Sequence, residues 1–107
     1  MNQMMAQVPK ADVIITNPTH YAVALQWSRE PGAAPTCVAK GVDEVAATIR
    51  RLAQKNGVPI HPDPPTARLL YATTEVGSEI SPDTYRAVAV AIRFADQMRQ
   101  KVRKSWR

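Results

Sequence analysis

Two apolar runs separated by the tetrapeptide Asn17-Pro18-Thr19-His20 set the first constraint on this chain. Val13-Ile14-Ile15 precedes it, and three consecutive β-branched residues predict a buried strand over residues 12–16. After it, Tyr21, Val23, Leu25 and Trp27 alternate with Ala22, Ala24 and Gln26. That period of two puts large side chains on one face of a second strand and small ones on the other, where a closely packed helix fits. Asn before Pro is a turn signal, so a tight connection is expected between the two strands.

The rest of the chain alternates short strands with helices. Residues 28–35 hold Glu30-Pro31-Gly32 and Ala33-Ala34-Pro35 and read as a surface loop. Residues 36–40 predict a third strand. Gly41 is expected to open a helix carrying Asp43 and Glu44 in its first turn, where the helix dipole favours acids. Val42, Val45, Ala46, Ile49, Leu52 and Ala53 form its inner face, and Gly57 its C-terminal stop. Residues 58–61 predict a fourth strand. Asp63 with Pro64 starts the next helix, with Ala67, Leu70, Tyr71 and Thr74 inward and Gly77 at its end. Ser81-Pro82-Asp83 repeats the start signal for a last helix with Tyr85, Val88, Ala89, Ile92 and Ala95 inward. The class is α/β, a small four-stranded mixed sheet surrounded by about four helices. Its 107 residues suit one domain over residues 12–98, with a linker or helix leading in at 1–11, whose residues 1–7 read as a helix end expected to be mobile, and a basic tail at 99–107.

The charge sits in that tail. Taking Arg99, Lys101, Arg103, Lys104 and Arg107 from the fourteen Lys and Arg leaves nine, equal to the nine Asp and Glu. A neutral body argues against a nucleic-acid groove, which spreads positive charge over a face. The tail reads as a solvated, frayed helix end, with an anionic membrane surface, nucleic acid or an acidic partner as its alternative contacts. Cys37 is the only cysteine, so no internal disulfide forms, and it reads as a small core residue. The two histidines, His20 and His61, show no ligand spacing, so neither a metal nor a cofactor is expected. No apolar run is long enough to span a membrane, and no signal peptide is visible. Ser28 and Ser81 lie in loops without the partners a hydrolase needs, so a multi-turnover enzyme is not expected.

The Asn17–Pro18 bond carries chemistry of its own. Ordinary deamidation needs the next residue's backbone N–H, and proline has none. The remaining route is attack by the Asn17 side-chain nitrogen on its own main-chain carbonyl. It closes a succinimide and expels Pro18 as a new N-terminus. Strain of about 1–3 kcal/mol in the turn and held geometry would assist. His20 is placed either to move a proton or, with Thr19, only to fix the turn. A half-life between minutes and a day corresponds to a barrier of roughly 21–24 kcal/mol, suited to one event and not to turnover. Asp12 and Lys40 are further candidates to polarise the reacting groups.

The run from Val13 to Leu25, with Val8-Pro9-Lys10-Ala11-Asp12 before it and Val38-Ala39-Lys40-Gly41 after it, resembles the self-cleaving segment of the FlhB/YscU family of type III secretion export-gate proteins. The similarity extends through Pro64-Pro65 and Ser81-Pro82, and Tyr21-Ala22-Val23-Ala24-Leu25 leans to the flagellar members. The resemblance implies self-cleavage at Asn17–Pro18, with Asn17, Pro18, Thr19 and His20 as the site and the two pieces staying associated. It implies a switch of export from early to late substrates, and transmembrane helices before Met1 that place this segment at the cytoplasmic face of the inner membrane. It implies as partners other export-gate components of the FlhA type, a hook-length ruler protein and exported early subunits. It links Ala34, Pro35, Ala89 and Ile92 to recognition of those subunits, physically a shallow groove for a short hydrophobic motif. From periodicity alone, Ala89 and Ile92 equally suit the core.

Overall fold

The computed structural model describes residues 3–105. A helix α1 (Gln3–Gln7) and a 3-10 turn lead into β1 (Val13–Asn17), β2 (Tyr21–Gln26), β3 (Thr36–Val42), α2 (Asp43–Lys55), β4 (Ile60–Pro62), α3 (Pro64–Thr73) and α4 (Tyr85–Ser105). The sheet order is β3-β2-β1-β4. β1 and β2 are antiparallel, with Val13 opposite Leu25 and Asn17 opposite Tyr21. β3 is antiparallel to β2, and β4 is parallel to β1, so the sheet is mixed as expected.

The alternation in β2 decides how the layers pack. Ala22 and Ala24, with Ile14 and Ala39, face Ala46, Ile49 and Ala53 of α2. Small side chains let that helix lie close to the sheet. The large face, Val13, Ile15, Val23 and Leu25, meets Leu70 of α3 and Val88, Ala91, Ile92 and Ala95 of α4. The three apolar residues of β1 are fully buried, contributing roughly 5–9 kcal/mol together at about 1.5–3 kcal/mol each. Asp63 caps α3 by accepting from the Thr66 N–H at 3.3 Å. Gly57 (φ +70°) ends α2, with the Val58 N–H reaching the Ala53 carbonyl at 2.9 Å.

Four local expectations are corrected. Gly41 does not open a helix; it lies in β3, which runs on to Val42. A Cβ at Gly41 would stand 2.2 Å from Cγ1 of Val45, so glycine is there to let α2 turn back against the strand. Val45 itself is exposed and Val42 belongs to the strand, leaving Ala46, Ile49 and Ala53 as the buried stripe of α2. On α4 the buried stripe is Val88, Ala91, Ile92 and Ala95; Tyr85 and Ala89 lie outside it. The lead-in, expected to be mobile, packs over its described part: Met5 is buried and the Lys40 N–H reaches Sδ of Met4 at 3.5 Å, while Met1 and Asn2 lie outside the described residues. As expected, the last helix runs on past Met98 into the basic tail, where Lys101, Arg103 and Lys104 are exposed; Arg99 is half-buried and bonds to the carbonyls of Ala11 and Asp12. Arg107 lies outside the described residues.

Candidate functional site

Asn17 ends β1 and Tyr21 opens β2, so Pro18, Thr19 and His20 form a three-residue hairpin loop. The loop is closed by the His20 N–H, which donates to the Asn17 carbonyl oxygen at 2.7 Å. Proline at the second position of the turn suits this bond, because its φ is already set. Asn17 is half-buried; Pro18, Thr19 and His20 are exposed. One residue earlier, the Thr16 carbonyl accepts from the Asp63 N–H at 2.8 Å, pinning the strand on its other side. The bond that the sequence singles out is therefore held firmly on the Asn17 side and presented to water on the Pro18 side.

The carbonyl that would be attacked is the one polarised by His20. A backbone donor at 2.7 Å draws electron density from the Asn17 carbonyl and would stabilise the oxyanion formed on attack. Among the described residues the Asn17 carboxamide makes no hydrogen bond, so its nitrogen is not held away from that carbon.

The expected strain in the turn is not found there. None of Pro18, Thr19 or His20 has a positive φ; the neighbouring Asp43, following β3, is one of two non-glycine left-handed residues among the described residues, with φ +47°. Its N–H donates to the His20 carbonyl at 3.0 Å, and its carboxylate oxygen lies 3.5 Å from Nδ1 of His20. Asp43 reads in the sequence only as an acid in a first helical turn; the pairing with His20 follows from the register of Tyr21 opposite Val42. Both side chains are well exposed, so the contact orients the ring more than it stabilises the fold.

Asp12 and Lys40 do not reach the bond. Asp12 precedes β1, at the opposite end of that strand from Asn17, and accepts from the Trp27 N–H at 2.7 Å and from Arg29 at 3.1 Å. The Lys40 ammonium donates to the Tyr71 carbonyl at 2.9 Å and lies 4.8 Å from the centre of the Tyr71 ring. His61 packs against Phe94, with ring centres 5.1 Å apart. Cys37 is buried, and burial pushes its thiol up to about 11.

A second feature is an apolar groove of about 510 Å³ between the loop before β3 and the start of α4. Ala34, Pro35, Ala89 and Ile92 all line it, with Trp27 and Asp96 at the wall. Ile92 is buried in the core as well; Ala89 is exposed and presents only its methyl group. The Trp27 indole N–H donates to the Ala33 carbonyl at 3.0 Å, fixing that wall.

A hairpin with an Asn-Pro bond at its tip, built into a small mixed α/β sheet, defines a class of domain, and comparison with known proteins assigns the family. A profile of the FlhB HrpN YscU SpaS family matches residues 1–95, and the chain belongs to that family. It is 47% identical over 105 residues to the flagellar biosynthetic protein FlhB of Escherichia coli (strain K12), covering 98% of this chain and 26% of that protein. It is 46% identical over 101 residues to that of Aquifex aeolicus (strain VF5), covering 94% of this chain and 29% of that protein. The chain thus spans little more than a quarter of these relatives. In structure it is similar to the cytoplasmic domain of FlhB from Shewanella putrefaciens, with TM-score 0.88 and 42% identity over 95% of this chain and 78% of that one. An EscU C-terminal domain bearing an asparagine-to-alanine substitution matches with TM-score 0.82 and 32% identity, covering 89% of this chain and 95% of that one. Among the described residues no helix is long and apolar enough to cross a membrane.

Proposed function

We propose that this segment is the cytoplasmic domain of a flagellar-type export-gate protein that cuts itself once, between Asn17 and Pro18, and thereby changes which substrates are exported. The observation that carries the reading is the 2.7 Å hydrogen bond from the His20 N–H to the Asn17 carbonyl, beside an unengaged carboxamide. The Asn17 Nδ2 attacks the Asn17 carbonyl carbon and loses a proton. The C–N bond to Pro18 breaks and the proline nitrogen takes up a proton. The succinimide then opens with water. Each chain reacts once, so the domain is not an enzyme in the turnover sense. EscU neighbours solved with substitutions at an asparagine and at the proline following it support the importance of such a bond in the family.

After the cut, the ladders of β1 with β2 and β4, together with the buried Val13, Ile14 and Ile15, keep the pieces associated. The groove beside Ala34, Pro35, Ala89 and Ile92 then receives a short apolar motif of exported early subunits. FlhA-type gate components and a ruler protein act on the same domain, and helices preceding this segment in the whole protein anchor it at the inner membrane. The mass of the denatured protein, wild type beside Asn17→Ala, tests the reading: two pieces against one. A single wild-type mass after prolonged incubation would refute it.

A further inference from the structure

Four charged residues of alternating sign meet at the end of β1 far from the Asn17–Pro18 bond. Asp12 lies on the N-terminal side of that bond; Arg29, Asp96 and Arg99 lie on the other. One oxygen of Asp12 accepts from Arg29 Nη1 at 3.1 Å, the other from the Trp27 N–H at 2.7 Å. Arg29 Nη2 reaches both oxygens of Asp96, at 2.8 and 3.0 Å, a charge-assisted contact shared between them from one nitrogen. Arg99 closes the ring, 3.5 Å from Asp96 and bonded to the Asp12 carbonyl. Arg29 holds a left-handed backbone (φ +66°), rare for such a residue, so its side-chain bonds maintain a conformation that local propensity disfavours. The two carboxylates also push the Arg29 guanidinium's proton affinity up.

We propose that Asp12, Arg29, Asp96 and Arg99 form a clasp that governs how readily the piece N-terminal to the cut separates from the rest. The inference rests on the self-cleavage reading for its biological meaning. Cleavage frees the Asn17 end of β1 covalently, leaving it held by the sheet ladder, the Asp63 bond to the Thr16 carbonyl and side-chain packing. The clasp grips the opposite end, where the preceding chain arrives. Of the four residues only Asp12 departs with the N-terminal piece, so separation breaks its bonds to Trp27, Arg29 and Arg99 together. Trp27 and Asp96 also line the apolar groove, and the Arg29 guanidinium lies 5.1 Å from the Trp27 ring centre. A molecule seated in the groove therefore touches the clasp. Arg29 and Asp96 are partly exposed, so salt weakens their attraction, unlike the apolar packing of β1.

Two arms test this. In the cleaved protein, release of the N-terminal piece is followed by native mass spectrometry after dilution, across increasing sodium chloride. The wild type should release faster as salt rises. Arg29→Gln should release roughly three- to tenfold faster at low salt and lose most of the salt dependence; Asp96→Asn should fall between. Equal rates and equal salt dependence in all three proteins would overturn the clasp. In the second arm the unbroken Asn17→Ala chain, with and without Arg29→Gln, is followed by hydrogen exchange at Asp12, Val13 and Trp27. Faster exchange with Arg29→Gln supports the clasp, and unchanged exchange removes it. This arm needs no cleavage, so a wild-type chain that never breaks refutes the self-cleavage reading while the clasp is still judged by exchange.

Discussion

The His20 backbone nitrogen and the Asn17 carbonyl oxygen are 2.7 Å apart, so the amide of one residue donates to the oxygen of the carbonyl at which the other would be attacked. The imidazole of His20 is separate from this effect, and substitution can tell them apart. His20→Ala keeps the backbone donor and removes the ring. Cleavage should slow by roughly a hundredfold, the lower end of what a positioned acid or base supplies. Quantifying the two pieces over time checks it, and an unchanged rate would leave the ring only a turn-forming role.

Pro18→Ala reopens the route that proline closes. The new backbone N–H can attack the Asn17 side-chain carbonyl, releasing ammonia and leaving the chain whole. The expected product is an intact chain with the mass gain of deamidation. Mass spectrometry separates this from the wild-type break.

Asn17→Asp replaces the attacking nitrogen with a carboxylate that is a poor nucleophile at neutral pH. Cleavage should then be slow near pH 7. It should rise as the medium is acidified towards the carboxyl's ordinary pKa of about 4, when the leaving proline nitrogen is more readily protonated. A pH series of intact masses tests the direction.

Gly41 and Val45 are joined by space. Gly41→Ala should destabilise the domain by about 1–3 kcal/mol, because the added methyl meets Val45 at 2.2 Å. Val45→Ala in the same chain should recover part of the loss, since Val45 is exposed and its Cγ1 is removed, while its Cβ stays 2.7 Å from the added methyl. Urea unfolding of the single and double variants measures the coupling.

The Cys37 thiol, held up to about 11 by burial, should resist alkylation in the folded protein and react once the chain is unfolded. The unfolded thiol loses its proton at lower pH than the folded one. Between the unfolded pKa and about 11 the native state therefore binds more protons, and stability falls as pH rises through that window. Cys37→Ala should flatten this part of the profile, as thermal unfolding at alkaline pH would show.

What the chain fixes by itself is local. Alternation in residues 21–27 determines two unlike sheet faces, and the structure covers the small one with α2. Asn17-Pro18 determines a turn and forbids ordinary deamidation through the missing N–H. Asp63 and Gly57 mark helix ends because capping depends on neighbours a few residues away. Periodicity is less sure where two surfaces compete. On α4 it placed Ala89 inward, yet the residue lies at the groove, because the loop before β3 leaves that side of the helix uncovered.

Tertiary structure alone decided what meets across the sheet. Asp43 reaches His20 only because β3 runs on to Val42 opposite Tyr21, and Gly41 allows α2 to fold back there. Asp12 serves the Arg29 cluster instead of the reactive bond because the strand between them holds the two at opposite ends. Pairings between residues distant in the chain depend on register and layer packing, which no short window of residues specifies.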